Sequence, residues 1–202
     1  MKIRIKFSKH GNTRYVGHLD MMRYFQKAMR RADIPIRYSE GYSPHQIMSF
    51  AAPLGMCVES DAEYMDIETT EPVEADDAIR RLNEAMCEGV RILGWKVMPD
   101  DSKTAMSQVE AADYLVLCDD VNLSPIDAPE IIVEKQNKKG EIRKTDIKPL
   151  IYSIKKVPDG VFMHIAQGSS NNLKPDTVMN VLGVKKYQVV RKELYGPNGL
   201  TL

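Results

Sequence analysis

Three of the four histidines, His10, His18 and His45, fall within 36 residues, and Lys9, Arg14 and Asp20 stand among them. The same stretch ends in a loop-forming string, Tyr38-Ser39-Glu40-Gly41-Tyr42-Ser43-Pro44-His45. Imidazoles exchange protons near neutral pH, and a neighbouring carboxylate orients them. An acid/base pair drawn from His18, Asp20 and His45, with His10 as a further member, has the groups needed to cleave or modify RNA. Arg14 beside a helix N-terminus has instead the groups to hold a phosphate, because free backbone N–H groups and the helix dipole favour anions there. Each residue also has a plainer role. Asp20 suits the first turn of any helix, His18 suits its solvent side, and Gly41 and Pro44 shape a turn whatever the loop does. Imidazole suits zinc, copper or iron, but no HExxH or CxxC spacing accompanies these histidines, so no metal is expected. GxxxxGKS, GxSxG and GxGxxG are also missing from the sequence. His164, on a strand pattern, reads as structural.

The elements that must position these residues follow from periodicity. Ile3, Ile5 and Phe7 alternate with Lys2, Arg4 and Lys6, a strand pattern. His10-Gly11-Asn12 signals a turn, and Thr13–Val16 reads as extended. Leu19, Met22, Phe25 and Met29 mark a helix from about His18 to Ala32, which Pro35 stops. Arg23, Lys27, Arg30 and Arg31 form a second, basic stripe on it, an ordinary solvated face in the plain reading. Strands are expected at Gln46–Phe50, Tyr64–Thr69 and Val90–Met98, and a helix at Val73–Cys87. Strand, helix, strand, strand, helix, strand is the ferredoxin-like order. The acidic run Glu59, Asp61, Glu63, Asp66 and Glu68 reads as the solvated face of a strand.

A second, strand-rich α+β lobe is expected over residues 103–202, after a ferredoxin-like lobe over 1–102. Its strands are Tyr114–Cys118, Ile131–Gln136, Glu141–Ile147, Leu150–Lys155, Val161–Ala166 and Tyr187–Glu193. Turns fall at Asn137-Lys138-Lys139-Gly140 and Pro158-Asp159-Gly160. A short helix runs from Pro175 to about Leu182. Fold class is therefore α+β.

The chain has 202 residues, 43% of them apolar, with 28 Lys and Arg balanced by 28 Asp and Glu. That composition supports a folded core, and the balance argues against a wholly basic nucleic-acid protein. The balance is uneven along the chain, however. Residues 1–50 carry ten basic and three acidic residues, a net +7. Residues 51–130 carry five and nineteen, a net −14, and residues 131–202 carry thirteen and six, a net +7. Either the segments lie side by side and neutralise one another, or both ends build an electropositive face. Tyr15, Tyr24, Tyr38 and Tyr42 interleave with the first basic segment, and exposed rings beside cations suit single-stranded nucleic acid. Cys57, Cys87 and Cys118 suit neither disulfides nor a metal knuckle and read as buried apolar side chains. No apolar run approaches the roughly 20 residues of a membrane span, and the N-terminus lacks a signal-peptide apolar core, so a cytoplasmic protein is expected.

Several strings together carry a resemblance. They are Arg4-Ile5-Lys6-Phe7-Ser8-Lys9, Arg14-Tyr15-Val16-Gly17-His18-Leu19-Asp20, the Tyr38–His45 loop, Ser49-Phe50, Pro53-Leu54-Gly55 and Glu59-Ser60-Asp61-Ala62-Glu63-Tyr64-Met65-Asp66-Ile67. Over about residues 2–98 the chain resembles the radical-SAM-linked domain family, a bacterial domain of unknown function. Members are similar to stand-alone chains or to C-terminal extensions of cobalamin-binding radical-SAM proteins. The resemblance implies a radical-SAM protein as partner, with RNA-related genes nearby, and transfers no catalytic role. A radical-SAM enzyme holds its cluster with CxxxCxxC, whereas these cysteines stand about thirty residues apart. Iron–sulfur cluster, SAM and cobalamin are thus expected on the partner only, with no cofactor on this chain. The tandem layout also looks like RNA-binding CRISPR repeat-associated proteins, an analogy of fold alone.

The leading expectation is an accessory RNA-binding or substrate-presenting module. Lys9, His10, Arg14, His18, Arg23, Lys27, Arg30, Arg31, Tyr38, Gly41, Tyr42, Ser43 and His45 would form its binding face. One rival is an RNA-processing or nucleotide-acting enzyme using His18, Asp20 and His45. Another is a protein-docking module in which Met21, Met22 and Met29 supply adaptable apolar contacts.

Overall fold

A computed structural model describes residues 1–136, 140 and 142–202. Most of the expected turn at Asn137-Lys138-Lys139-Gly140 lies outside the described residues, as does Glu141. The chain is an α+β protein. Its strands are β1 (Lys2–Lys9), β2 (Met48–Phe50), β3 (Val58–Glu68), β4 (Val90–Met98), β5 (Ala111–Leu117), β6 (Ile132–Gln136), β7 (Ile142–Asp146), β8 (Ile151–Val157), β9 (Gly160–Ala166) and β10 (Gln188–Tyr195). Its helices are α1 (His18–Arg31), α2 (Ala75–Ala85), α3 (Ala105–Gln108) and α4 (Pro175–Val181).

Eight strands share one sheet in the order β4-β1-β3-β10-β5-β9-β8, with β2 paired to β3, while β6 and β7 form a separate hairpin. The junction between the halves is β3. Its start, Val58–Ser60, runs parallel to Val189–Arg191 of β10, and its end, Met65–Ile67, pairs antiparallel with β2. One eleven-residue strand thus belongs to both halves.

Two apolar clusters fill the interior. In the first half Ile3, Ile5, Phe7, Met65, Ile67 and Ile92 of the sheet meet Phe25 and Met29 of α1 and Ala78 and Leu82 of α2. Phe7, Phe25 and Phe50 meet edge to face at 4.8–5.9 Å. In the second half Tyr114, Val116, Met163 and Ile165 pack with Val178 and Met179 of α4. Each large side chain so buried contributes about 1.5–3 kcal/mol.

Local chemistry explains the helix ends. Asp20 lies in the first turn of α1 and Arg30 and Arg31 in the last, each complementing the dipole. Asp33, at φ 49°, turns the chain out of the helix ahead of Pro35. Glu74 caps α2 by accepting from the Asp76 and Asp77 amides at 3.0 and 2.7 Å.

Several local expectations are corrected. Residues Gly11–Tyr15 form a 3-10 turn rather than an extended piece, tied down by Thr13 Oγ1 donating to the His10 carbonyl at 2.6 Å. β3 begins six residues earlier than the pattern suggested, because its acidic side chains are covered by the neighbouring strands and loops. α3 carries too short a pattern to be read in advance. Cys57 and Cys87 are exposed and Cys118 is half-buried. Cys57 sits at a tight turn with φ 66°, and Cys87 follows the end of α2, so neither faces a core. Met21 and Met29 are buried in the first core, so they offer no docking surface.

Candidate functional site

The acidic run on β3 is no solvated face. Between the basic strands β1 and β10, and beside basic loops, each of its carboxylates holds a cation. Glu59 faces Arg14 at 3.4 Å and His10 Nδ1 at 3.5 Å. Asp61 faces His10 Nε2 at 3.1 Å and also pairs with Lys192. Asp66 takes the Arg4 guanidinium through both oxygens at 2.8 and 3.1 Å, and Glu68 meets Arg37 at 3.2 Å. Bidentate geometry makes the Arg4 pair the more directional.

The deepest pair is Glu63–Arg191, with both side chains under 5% exposed. Arg191 Nη1 donates to both Glu63 oxygens at 2.8 and 3.0 Å and to the Ala52 carbonyl at 2.8 Å, and Nε donates to Tyr114 Oη at 3.2 Å. Burial pushes the Glu63 carboxyl up, and the facing Arg191 pulls it back. Lys9, also buried, donates a hydrogen bond to the Val16 carbonyl at 2.8 Å. Burial pushes its ammonium down, against the pull of Glu63. Lys9, His10 and Arg14 therefore belong to the interior or to this ion-pair belt rather than to an open face.

The basic stripe of α1 is different. Arg23, Lys27, Arg30 and Arg31 are all exposed. Arg23 meets Asp20 at 3.2 Å, and Arg31 donates to the Ala85 carbonyl of α2 at 2.8 Å. Among the described residues Lys27 and Arg30 make no ion pair or side-chain hydrogen bond.

The Tyr38–His45 loop is pinned beside that stripe. Ser39 N–H donates to the His45 carbonyl at 2.8 Å, and Ser39 Oγ lies 2.9 Å from His45 Nδ1. The buried Gln46 then donates through Nε2 to the Gln26 carbonyl of α1 and to Tyr38 Oη, each at 3.2 Å. Arg23 and Arg30 stand three residues before and four after Gln26, one turn away on either side. Gly41, at φ 107°, makes the loop tip, and it leaves Tyr42 fully exposed, with Ser43 and Pro44 also in solvent. Tyr38 is partly exposed.

His18, Asp20 and His45 have separate partners. His18 packs edge-on against Phe50 at 5.3 Å, Asp20 meets Arg23, and His45 meets Ser39. Among the described residues no three His, Cys, Asp or Glu side chains converge to hold a metal ion.

One constellation escaped the sequence reading. His164 Nδ1 lies 2.6 Å from Asp113 Oδ1, and Tyr195 Oη donates to Asp113 Oδ2 at 2.7 Å. Burial and that carboxylate push the Tyr195 phenol up to about 12. The His164 ring also touches Tyr152 at 5.4 Å and Tyr195 at 5.3 Å. Asp113 and His164 face each other directly across β5 and β9, 51 residues apart, so only the sheet register reveals the pair.

The fold is α+β, and comparison with known sequences supplies the family. The chain belongs to the family of uncharacterized proteins conserved in bacteria (DUF2344), whose profile matches residues 2–175. No curated protein matches the chain.

Proposed function

We propose that this chain is a non-catalytic accessory module of the bacterial cytoplasm that binds RNA, or presents an RNA substrate, to a separate radical-SAM protein. One observation carries the reading. Gln46 ties the Tyr38–His45 loop, which carries the exposed ring of Tyr42, to α1, whose Lys27 and Arg30 make no ion pair among the described residues. Cations on one helix face suit successive phosphates, and an exposed tyrosine suits a stacked base. Arg23, Lys27 and Arg30 make the phosphate contacts, Tyr42 stacks a base, and Arg31 braces α1 against α2. The separate partners of His18, Asp20 and His45 favour binding over acid/base chemistry. The radical-SAM partner, carrying the cluster, SAM and cobalamin, is supported by the resemblance of the strings between Arg4 and Ile67.

Crosslinking and sequencing of RNA bound to the chain in cells tests this reading. RNA should be recovered with the native chain and lost with the Arg23→Glu/Lys27→Glu/Arg30→Glu variant, and in vitro binding should weaken as salt rises. Equal recovery from both chains, or no RNA above background, would overturn it.

A further inference from the structure

The Glu63–Arg191 pair has a second side. Arg191 spends Nε and Nη1 on protein acceptors, and among the described residues Nη2 has none. The side chain is nevertheless buried and lines a cavity of about 300 Å3 between the 53–56 loop, β3, β5, β10 and the start of α4. Gln167, also buried, borders the same space. Its Oε1 accepts from Tyr114 Oη at 2.8 Å, and that hydroxyl accepts from Arg191 Nε. The chain of bonds leaves the Gln167 amide N–H groups, like Nη2, without a protein acceptor among the described residues. Although both side chains are buried, these donor atoms keep access to the cavity, and two free donors on side chains that border one cavity suit an anion.

The remaining walls narrow the ligand. Leu54, Met56, Val58 and Val189 give an apolar side. Lys174 stands at the mouth, exposed and without an ion pair among the described residues. Asp176 also lines the cavity, with Oδ1 accepting from Tyr187 Oη at 2.8 Å. A fixed carboxylate on the rim repels a second negative charge on the ligand. Behind Arg191, the wall of Pro53 and Leu54 is shared with a smaller cavity lined by Lys9 and Glu63. Lys9 bonds the Val16 carbonyl there, so Arg191 is the cation that pairs with Glu63.

We propose that this cavity binds a small monocarboxylate bearing a short apolar group. The carboxylate takes Arg191 Nη2 and the Gln167 amide, Lys174 closes the mouth, and the apolar group lies against Leu54, Val58 and Val189. The site is independent of the RNA face, since none of its residues belongs to α1 or to the Tyr38–His45 loop.

Titration of the full chain with sodium butyrate at constant ionic strength tests this, followed by backbone amide NMR shifts. Inorganic phosphate and butylamine serve as parallel probes. Saturable shifts are expected at residues 54, 58, 167, 189 and 191 with butyrate, with weaker binding of phosphate and none of butylamine. Lys174→Ala should weaken butyrate about tenfold, because it takes one cation from the mouth. Leu54→Trp, which fills the cavity and keeps Arg191 and Glu63 in the chain, should abolish the shifts, with a native-like amide spectrum as the check on the fold. The proposal fails if butyrate gives no saturable shifts, or if phosphate or butylamine binds as tightly. It also fails if both variants titrate like the native chain.

Discussion

The two sets of cations contributed by the first fifty residues are alike in composition and opposite in use. Arg4, Arg14 and Arg37 turn toward β3 and end on Asp66, Glu59 and Glu68. Lys27 and Arg30, on α1, are exposed and make no ion pair among the described residues. The difference is topological. β3 lies between β1 and β10, so basic residues near those strands meet its carboxylates, whereas the basic stripe of α1 meets only Asp20 and the Ala85 carbonyl among the described residues. A count of charges therefore says little about which ones are available to a partner. Pairing inside the fold consumes some, and the remainder defines the surface.

The contrast is sharpest at its extremes. Arg191→Ala leaves Glu63 buried and unpaired, and the expected loss is about 3–5 kcal/mol of stability. Urea unfolding measures it. Replacing both partners, Glu63→Leu with Arg191→Met, should recover most of that loss, since an apolar pair has no charge to desolvate. If the single variant costs no more than a surface pair, the two regions are not different in kind. On the other side, Lys27→Glu/Arg30→Glu should lower RNA affinity about tenfold or more while the unfolding midpoint moves by less than about 0.5 kcal/mol in equivalent stability. Filter binding across a salt series should also show a shallower dependence, by about 0.7 in log–log slope for each phosphate no longer neutralised. Tyr42→Ala should weaken RNA binding by about 1 kcal/mol at the low end of base stacking and leave the salt slope unchanged, which separates ring from charge.

The smallest expected effect concerns Glu74. Its carboxylate accepts two amides of α2, and these hold its pKa below the ordinary value of 4.5. A carboxyl depressed in the folded state stabilises fully above its unfolded pKa, and that contribution fades as pH falls through the folded one. Thermal melts across the acid range should therefore show a smaller loss on acidification for Glu74→Gln than for the native chain in that window. An identical pH profile for the two chains sinks the assignment.

Much of the scaffold was legible from local pattern. Alternating Ile3, Ile5 and Phe7 mark β1, Phe25 and Met29 mark the buried face of α1 although Leu19 of the same stripe is exposed, and Val90–Met98 matches β4. Periodicity reports a face, and a face is a local property. The acidic alternation of β3 reads as a strand and is one, but it is not solvated and its strand starts at Val58 rather than Tyr64, because exposure and pairing depend on neighbours that the pattern does not contain. The cysteines failed for the same reason. Of the candidate site, Gly41, Tyr42 and the α1 stripe stood out by type and spacing. Their adjacency rests on Gln46, whose side chain reaches back twenty residues to Gln26.

The sequence by itself determined the order of elements, the unequal distribution of charge and the identity of the residues able to contact phosphate or a base. The tertiary structure alone decided which charges cancel, since Glu63 and Arg191 are 128 residues apart and meet only because β3 pairs with β10. It also brought His164 to Asp113 and opened the cavity beside Arg191. The physical reason is range. Helix and strand periodicity follow from backbone geometry over a few residues, whereas ion pairs and cavities depend on packing between segments far apart in the chain.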